Sequence, residues 1–473
     1  MKNNYKFLGW LVLLSATLGA CNKQFLKLNP YDQVPLTESI VDENSMQTAV
    51  TGAYASLRAV DFFGRSVPVD GDLMADNTYI SPQNSNRYIQ EFAYTYVPAN
   101  FGDGQNMWAE MYNTILRANN VINANIPSDA NSNQLKGEAL TIRALSYFEL
   151  LKFFAPPFQN DSTAIGVPLV LTYNPHLLPA RNSVGDVYHQ IETDLVQAYG
   201  LMTMTKNSTY VTKYVAQALL SRMYLYKGNW ANAQISALDV YNNGGFSLTP
   251  PQFLQTYWAN PFPVTNGVET IFEVEFDEID NNGTDDLDAM YDQAGYGDLQ
   301  CTDDLYGQYT STDARQSLII AGNRGGSNVW VINKYPNLSN PNGKDNTKVI
   351  RYAEVILTLA EAYNHQGMDS LAKQYLNLLA QTRDTAFSGY TDLGSQLLSD
   401  ILLERRRELA FEGHRYWDFV RLGMDVNRNN GTGNYALLPA SSLTLPANDH
   451  RRIFPIPQAE MNVNKNMVQN PGY

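Results

Sequence analysis

Apolar positions recur at helical spacing through most of the chain. Met46, Val50, Tyr54 and Leu57 form one stripe and predict a helix over 43–59. The same periodicity predicts helices over 107–125, ended before Pro127, over 133–154, stopped by Pro156 and Pro157, and over 183–202. The helix over 133–154 reads as long and amphipathic. Ser183 with Asp186 three residues on makes an approximate capping box for the helix it precedes. By contrast, 60–105 reads as mixed loop, rich in Asp, Asn, Gly and Tyr. The stretch 245–348 is rich in Pro, Gly, Asn and Asp, with short strand-like runs at 269–276 and 329–335. The tail, 430–473, reads as coil with short extended pieces such as 453–456.

An internal repeat organises the helices. Residues 214–242 read helix, tight turn, helix, with the turn at Lys227-Gly228-Asn229. Leu220, Ser221, Tyr224, Gly228, Trp230, Ala233 and Ala237 fall at tetratricopeptide spacing. The small residues let two helices approach, and Gly228 supplies the left-handed turn. Leu359, Ala360, Tyr363, Gly367, Ala372 and Leu376 repeat the pattern, with Asp369 where the aromatic would stand. Residues 134–154 resemble the first helix of a third unit, and 403–422 a fourth with Gly413 as its turn. A long non-helical insertion between solenoid repeats, here 245–348, is a candidate functional face. The expected fold class is mainly α.

The N-terminus changes the picture. Lys2 and Lys6 precede an apolar run over 7–18, and Leu18-Gly19-Ala20-Cys21 follows. About a dozen apolar residues are too few to span a bilayer, which takes roughly 20. Charge, apolar stretch and small-residue cleavage site are the parts of a signal peptide. A Cys directly after the small residues is the bacterial lipobox. The expectation is therefore a lipoprotein signal peptide over 1–20, acylation of Cys21, and one domain over 21–473. No later run is long and apolar enough to read as a membrane-spanning helix. If Cys21 is acylated, Cys301, the second of 2 cysteines, has no intrachain partner.

The formal net charge is −14, and removal of Lys2 and Lys6 makes the remainder more acidic. That argues against nucleic-acid binding and against electrostatic docking on anionic lipid. The 30 Tyr against 19 Phe suit polar, ring-shaped ligands, or equally the edges of an amphipathic core.

Catalytic and metal signals are weak. The five His show no metal-ligand spacing. The run from Asp280 to Asp285 is similar to a calcium loop, but Asp285 stands where an EF-hand needs Gly. No cofactor is expected, and an irregular structural Ca²⁺ site there is left open. Gly431-Thr432-Gly433-Asn434-Tyr435-Ala436 fits a loose dinucleotide pattern but lies in an Asn-rich loop. With 47 acidic residues, no spacing singles out a carboxylate pair for glycoside hydrolysis. Glu404, Glu408 and Glu412 lie four apart on one helix face, where like charges repel. They need arginines from their own helix, Arg415 or Arg421, and read as a structural ion-pair network.

Several separated pieces resemble the SusD/RagB family of nutrient-binding outer-membrane lipoproteins. Cys21-Asn22-Lys23-Gln24-Phe25-Leu26 with Asn29-Pro30 looks like the family start. Gly71-Asp72 with Ala75-Asp76-Asn77 looks like its early loop motif. Trp108, Tyr112, Ile115, Arg117 and Asn119 match its second helix, and Arg143-Ala144-Leu145-Ser146-Tyr147-Phe148 its long helix. Arg351-Tyr352-Ala353-Glu354 opens the later repeat. The stretch 403–421 is similar to the most diagnostic part, and Asn470-Pro471-Gly472-Tyr473 is the usual ending. The resemblance implies about four tetratricopeptide-like helix pairs with an irregular, loop-rich ligand side. It also implies a lid role on a SusC-type TonB-dependent transporter, and no catalytic residues. Outer-membrane residence follows from the resemblance. The Asn-Lys-Gln after Cys21 lacks an acidic export run, which leaves the leaflet open.

Glycan binding without chemistry is the first functional reading. A peptide ligand or a helical glycoside hydrolase are the alternatives. Sugar rings stack on aromatics while Asp, Asn and Arg bond hydroxyls. Two loop regions offer that mixture: Asp76, Asn77, Tyr79, Arg87 and Tyr88 in one, and Trp258, Tyr291 and Tyr296 in the other.

Overall fold

The computed structural model describes residues 39–473 apart from 265–267, 342, 429–432 and 437. The signal-like segment and Cys21 lie outside the described residues. Helix α1 (Glu43–Leu57) buries Met46, Val50 and Leu57 and is capped by Asp42. The Tyr54 of its stripe is half-buried and donates to Glu138 at 2.9 Å. Then come α2 (Ser66–Leu73), α3 (Gly102–Ile122), α4 (Ala130–Phe154) and α5 (Val184–Leu201). Ser183 and Asp186 form the capping box that their spacing predicts.

Two helix hairpins follow the repeat pattern. They are α6 (Lys213–Lys227) with α7 (Trp230–Asn243), and α8 (Tyr352–His365) with α9 (Asp369–Arg383). Gly228 and Gly367 make their turns at φ +70° and +71°. Next come α10 (Gly394–Glu408) and α11 (Arg415–Arg421), with Gly413 between them at φ +78°, and short elements follow them. Each helix from α3 to α9 packs on its neighbour in sequence. Trp230 of one hairpin stacks on His365 of the next, at 3.8 Å and 5°.

Helix α4 is not amphipathic in the fold. It is buried on almost every side, because α3, α5, α6 and α1 all pack on it. Its charges are internal pairs: Arg143 holds Asp194 at 2.7 Å and Lys152 holds Glu149 at 2.7 Å. A sequence pattern cannot separate such paired interior charges from a solvated face.

The stretch 60–105 and the insertion are packed rather than loose: Phe62, Phe63, Tyr94 and Tyr96 join the helical core, and Tyr79, Tyr88 and Phe92 with much of the insertion build a second core. Helix α2 is buried throughout, and Val69 and Leu73 join Leu287, Met290, Leu305 and Phe411. Its Asp, Gly and Ser content looks loop-like by composition. The acid is used inside: Asp72 accepts from Gly413 N–H and from Asn77, both at 2.7 Å. Strands β1 (Thr78–Ile80), β3 (Leu299–Cys301), β4 (Ile319–Arg324) and β5 (Ser327–Ile332) form an antiparallel sheet in the order β1-β3-β5-β4. Strands β2 (Thr270–Val274) and β6 (Thr347–Arg351) pair antiparallel and pack on the helical core.

The junction of the two cores is filled with ion pairs. Glu404 meets Arg315 at 2.6 Å, Glu408 meets Arg351 and Arg383 at 2.9 Å, and Glu412 meets Lys334 at 2.6 Å. Burial raises the Glu408 carboxyl, and Arg383, Arg351 and Arg315 more than offset this and hold it far below the usual range. The expected network exists: Arg407 of the same helix meets Glu404 at 3.4 Å, while the other partners come from distant segments. Arg415 serves Asp76 instead, and Arg421 serves Glu361 and Asp418.

Candidate ligand-binding surface

The structure buries six of the eight residues that composition nominates. Asp76 receives Arg415 at 2.7 and 3.0 Å; burial raises its carboxyl, and Arg415 and Arg406 lower it to about 2. Asn77 accepts from Arg406 at 3.0 Å. The Tyr88 hydroxyl accepts from Arg65 at 2.7 Å. Trp258 covers buried cations, with Lys334 at 4.2 Å and Arg351 at 5.1 Å from its ring. Tyr291 is fully buried and stacked on Tyr335. Tyr79 is buried in β1, and its hydroxyl faces Asp303 and Asn434. The physical reason is common to all six. The stretches that read as loops carry a core of their own, and these side chains fill or neutralise it.

Arg87 and Tyr296 remain half-exposed. The Arg87 guanidinium lies 3.8 Å over the Tyr296 ring and donates to its hydroxyl at 2.7 Å, joining the two nominated regions.

A second half-buried aromatic surface lies on the sheet. Tyr306 and Trp330 stack with centroids 3.5 Å apart at 12°, and both are half-buried. Trp330 sits in β5 opposite Cys301 and Ala321. Its Nε1 donates to exposed Asp303 at 2.9 Å. The Asp303 N–H donates to Asn434 Oδ1 at 3.1 Å, which brings the β1 Tyr79 to the edge of the same group. Ile320 and Ala321 of β4 are exposed beside it. Composition did not single out Tyr306 or Trp330. The available signal was alternation: Val329 and Val331 point inward, so Trp330 between them points out.

The acids of the calcium-like loop are engaged by arginines. Asp280 pairs with Arg58 at 3.0 Å and Asp285 with Arg65 at 2.6 Å. Among the described residues no three His, Cys, Asp or Glu are grouped to hold a metal ion.

A row of helix hairpins backing a separate strand-and-loop core with exposed aromatics is the architecture of a helical-repeat binding protein. Two family models match in succession. "Starch-binding associating with outer membrane" covers 24–225, and "SusD family" covers 321–473. The chain belongs to the SusD family, whose members are glycan-binding proteins. It is similar to SusD-like protein P2 of Formosa agariphila, with 26% identity over 98% of both chains. A putative sugar binding protein of Bacteroides vulgatus superposes with TM-score 0.82 and 28% identity, over 92% of this chain and 99% of that one. Surface glycan-binding protein A of Bacteroides thetaiotaomicron, solved with laminarihexaose, shares the fold. It gives TM-score 0.70 and 20% identity over 91% and 100% of the two chains.

Proposed function

We propose that the chain is a lipid-anchored outer-membrane protein that binds an oligosaccharide or polysaccharide on its extracellular side and passes it to a SusC-type TonB-dependent transporter. It performs no chemistry on the ligand. The observation that carries this reading is the half-exposed Tyr306–Trp330 stack with Asp303 on its indole nitrogen. A flat apolar face takes the C–H side of a sugar ring. The adjacent carboxylate and the Asn434 amide take hydroxyls. The lipobox-like Leu18-Gly19-Ala20-Cys21 favours the anchor, and the family resemblance favours the transporter as partner. The test is calorimetric titration against a panel of neutral glycans that includes laminarihexaose, with the products analysed afterwards. Saturable binding with intact glycan supports the reading; released sugar, or binding of peptides alone, overturns it.

A further inference from the structure

We infer that the cleft at the C-terminal end of α3 is a second carbohydrate site, which takes a neutral sugar of one or two rings. The cleft has a volume of about 540 Å³. That is the size of a small-molecule pocket. It shares no residue with the Tyr306–Trp330 surface, so the inference adds a site to the glycan reading and stands on different residues.

The chemistry of the lining decides the ligand class. The walls come from the last turn of α3 and the residues just after it, from 172–173, and from 40–41. Among the described residues none that lines the cleft is charged. An ionic ligand would give up water there without gaining a counter-charge. The lining offers amides and hydroxyls instead. Asn123, Asn125, Thr172 and Tyr173 all line the cleft and are all exposed, so their polar groups open on it. An amide brings an acceptor oxygen and two donor hydrogens, and a hydroxyl can donate or accept. Sugar hydroxyls also donate and accept, and they are matched by such groups.

The fold has already used some of these groups and not others. Asn119 is spent: its Nδ2 donates to the Val170 carbonyl at 2.7 Å, and its Oδ1 accepts from Arg143 at 2.8 Å. Asn123 is half spent. Its Nδ2 donates to the Leu171 carbonyl at 2.8 Å, which holds the side chain in place and leaves Oδ1 as an acceptor. The side chains of Asn125, Thr172 and Tyr173 hydrogen-bond to nothing among the described residues. The segment leading into 172–173 is fixed from below: Tyr112 donates to the Pro168 carbonyl at 2.8 Å and Tyr147 to the Val170 carbonyl at 3.0 Å. The unused groups therefore sit at the mouth of a pre-organised wall, which lowers the cost of ordering them around a ligand.

Tyr173 supplies the apolar half of sugar recognition. It is 52% exposed, and among the described residues no ring or cation stacks on it. Val41, 66% exposed, adds apolar surface to the same lining. The C–H face of a sugar ring packs on such a surface while its hydroxyls meet the amides.

The experiment is calorimetric titration of the full chain carrying Trp330→Ala, which weakens the first surface. The ligands are maltose, cellobiose and laminaribiose, with glucuronate as the acidic control. Expected is saturable binding of at least one disaccharide, with glucuronate at least fivefold weaker. Tyr173→Ala in the same background should weaken that binding by a few-fold to about tenfold, as loss of one aromatic contact does. Asn125→Ala should weaken it at least twofold. Both side chains are exposed, so both variants should keep the melting temperature of their background. Binding of none of the three disaccharides, equal binding of glucuronate, or undiminished binding in Tyr173→Ala overturns the proposal. Failure of the first surface is read separately, from the response of laminarihexaose binding to Trp330→Ala alone.

Discussion

Gly71 and Gly413 meet backbone to backbone. A Cβ on Gly71 would stand 2.1 Å from the Gly413 carbonyl oxygen, and one on Gly413 would stand 2.7 Å from Pro68 Cα. Gly413 also has φ +78°, where L side chains are strained. The contact seats α2 against the turn between α10 and α11, and so joins the two cores. Gly71→Ala and Gly413→Ala should each destabilise by about 1–3 kcal/mol, the usual range for overpacking. Denaturant unfolding measures it. An unchanged midpoint for Gly71→Ala would mean that α2 can move off the turn.

Glu408 sits between three arginines and is almost wholly inaccessible. Glu408→Ala leaves Arg351 and Arg383 short of a counter-charge. Removal of one partner from a buried pair costs about 3–5 kcal/mol. The expected result is a large loss of stability with ligand affinity unchanged in the protein that still folds. A full melting temperature with lost binding would make this network a ligand site.

The helical scaffold was legible because helices of this length state themselves locally. Gly228, Gly367 and Gly413 mark the turns, Ser183 marks a cap, and small residues mark the close contacts. The second core was not legible. Its helix α2 contains Pro68, Asp70, Gly71 and Asp72, and its strands are three to six residues long, so pairing across the chain decides what they become. The same limit explains the site. Trp258 and Tyr291 look like loop aromatics, but long-range contacts put cations under one ring and Tyr335 on the other. Asp76 looks like a sugar-binding acid until Arg415, 339 residues away, is placed on it.

Asp288 is buried with both carboxylate oxygens lacking a donor. Burial, then the charges of Asp345 and Asp286, raise its pKa to about 8. The folded value lies above the ordinary carboxylate value of 3.8, so the folded state holds a proton that the unfolded chain releases. Its contribution is fully present below pH 3.8 and is lost as pH rises through about 8. Asp288→Asn should therefore raise the melting temperature at pH 8.5 and change it little at pH 4. A gain of equal size at both pH values would show that Asp288 does not titrate in that window.

Cys21 is the expected point of attachment. Acyl chains on its thiol and amine would be the chain's own hold on the membrane, since none of the described helices is long and apolar enough to cross one. Cys21→Ala should move the protein from the membrane fraction to the soluble fraction in cells lacking the proposed transporter. Retention of the variant under those conditions would refute lipid anchoring.

The ligand surface can be separated from the core by two pairs of variants. Tyr306 and Trp330 are half-buried at the edge of the second core, so their removal opens less interior space than removal of a buried ring. An aromatic contact is worth about 0.5–1.5 kcal/mol, which is a few-fold to about tenfold in affinity. Trp330→Ala and Tyr306→Ala should weaken glycan binding by that factor and leave the melting temperature nearly unchanged. Asp303→Asn should have a smaller effect, because an amide oxygen still accepts from the indole. Trp258 and Tyr291 lie in the same insertion but inside its core. Trp258→Ala strips the aromatic cover from Lys334 and Arg351 and leaves a cavity, at a cost of about 3–5 kcal/mol. Tyr291→Ala should likewise lower stability, with affinity unchanged in the folded fraction. Calorimetric titration of all five variants, alongside thermal melts, gives both readouts. Full affinity in Trp330→Ala and Tyr306→Ala at wild-type stability would place the glycan elsewhere, with the half-exposed Arg87–Tyr296 pair as the next surface to substitute.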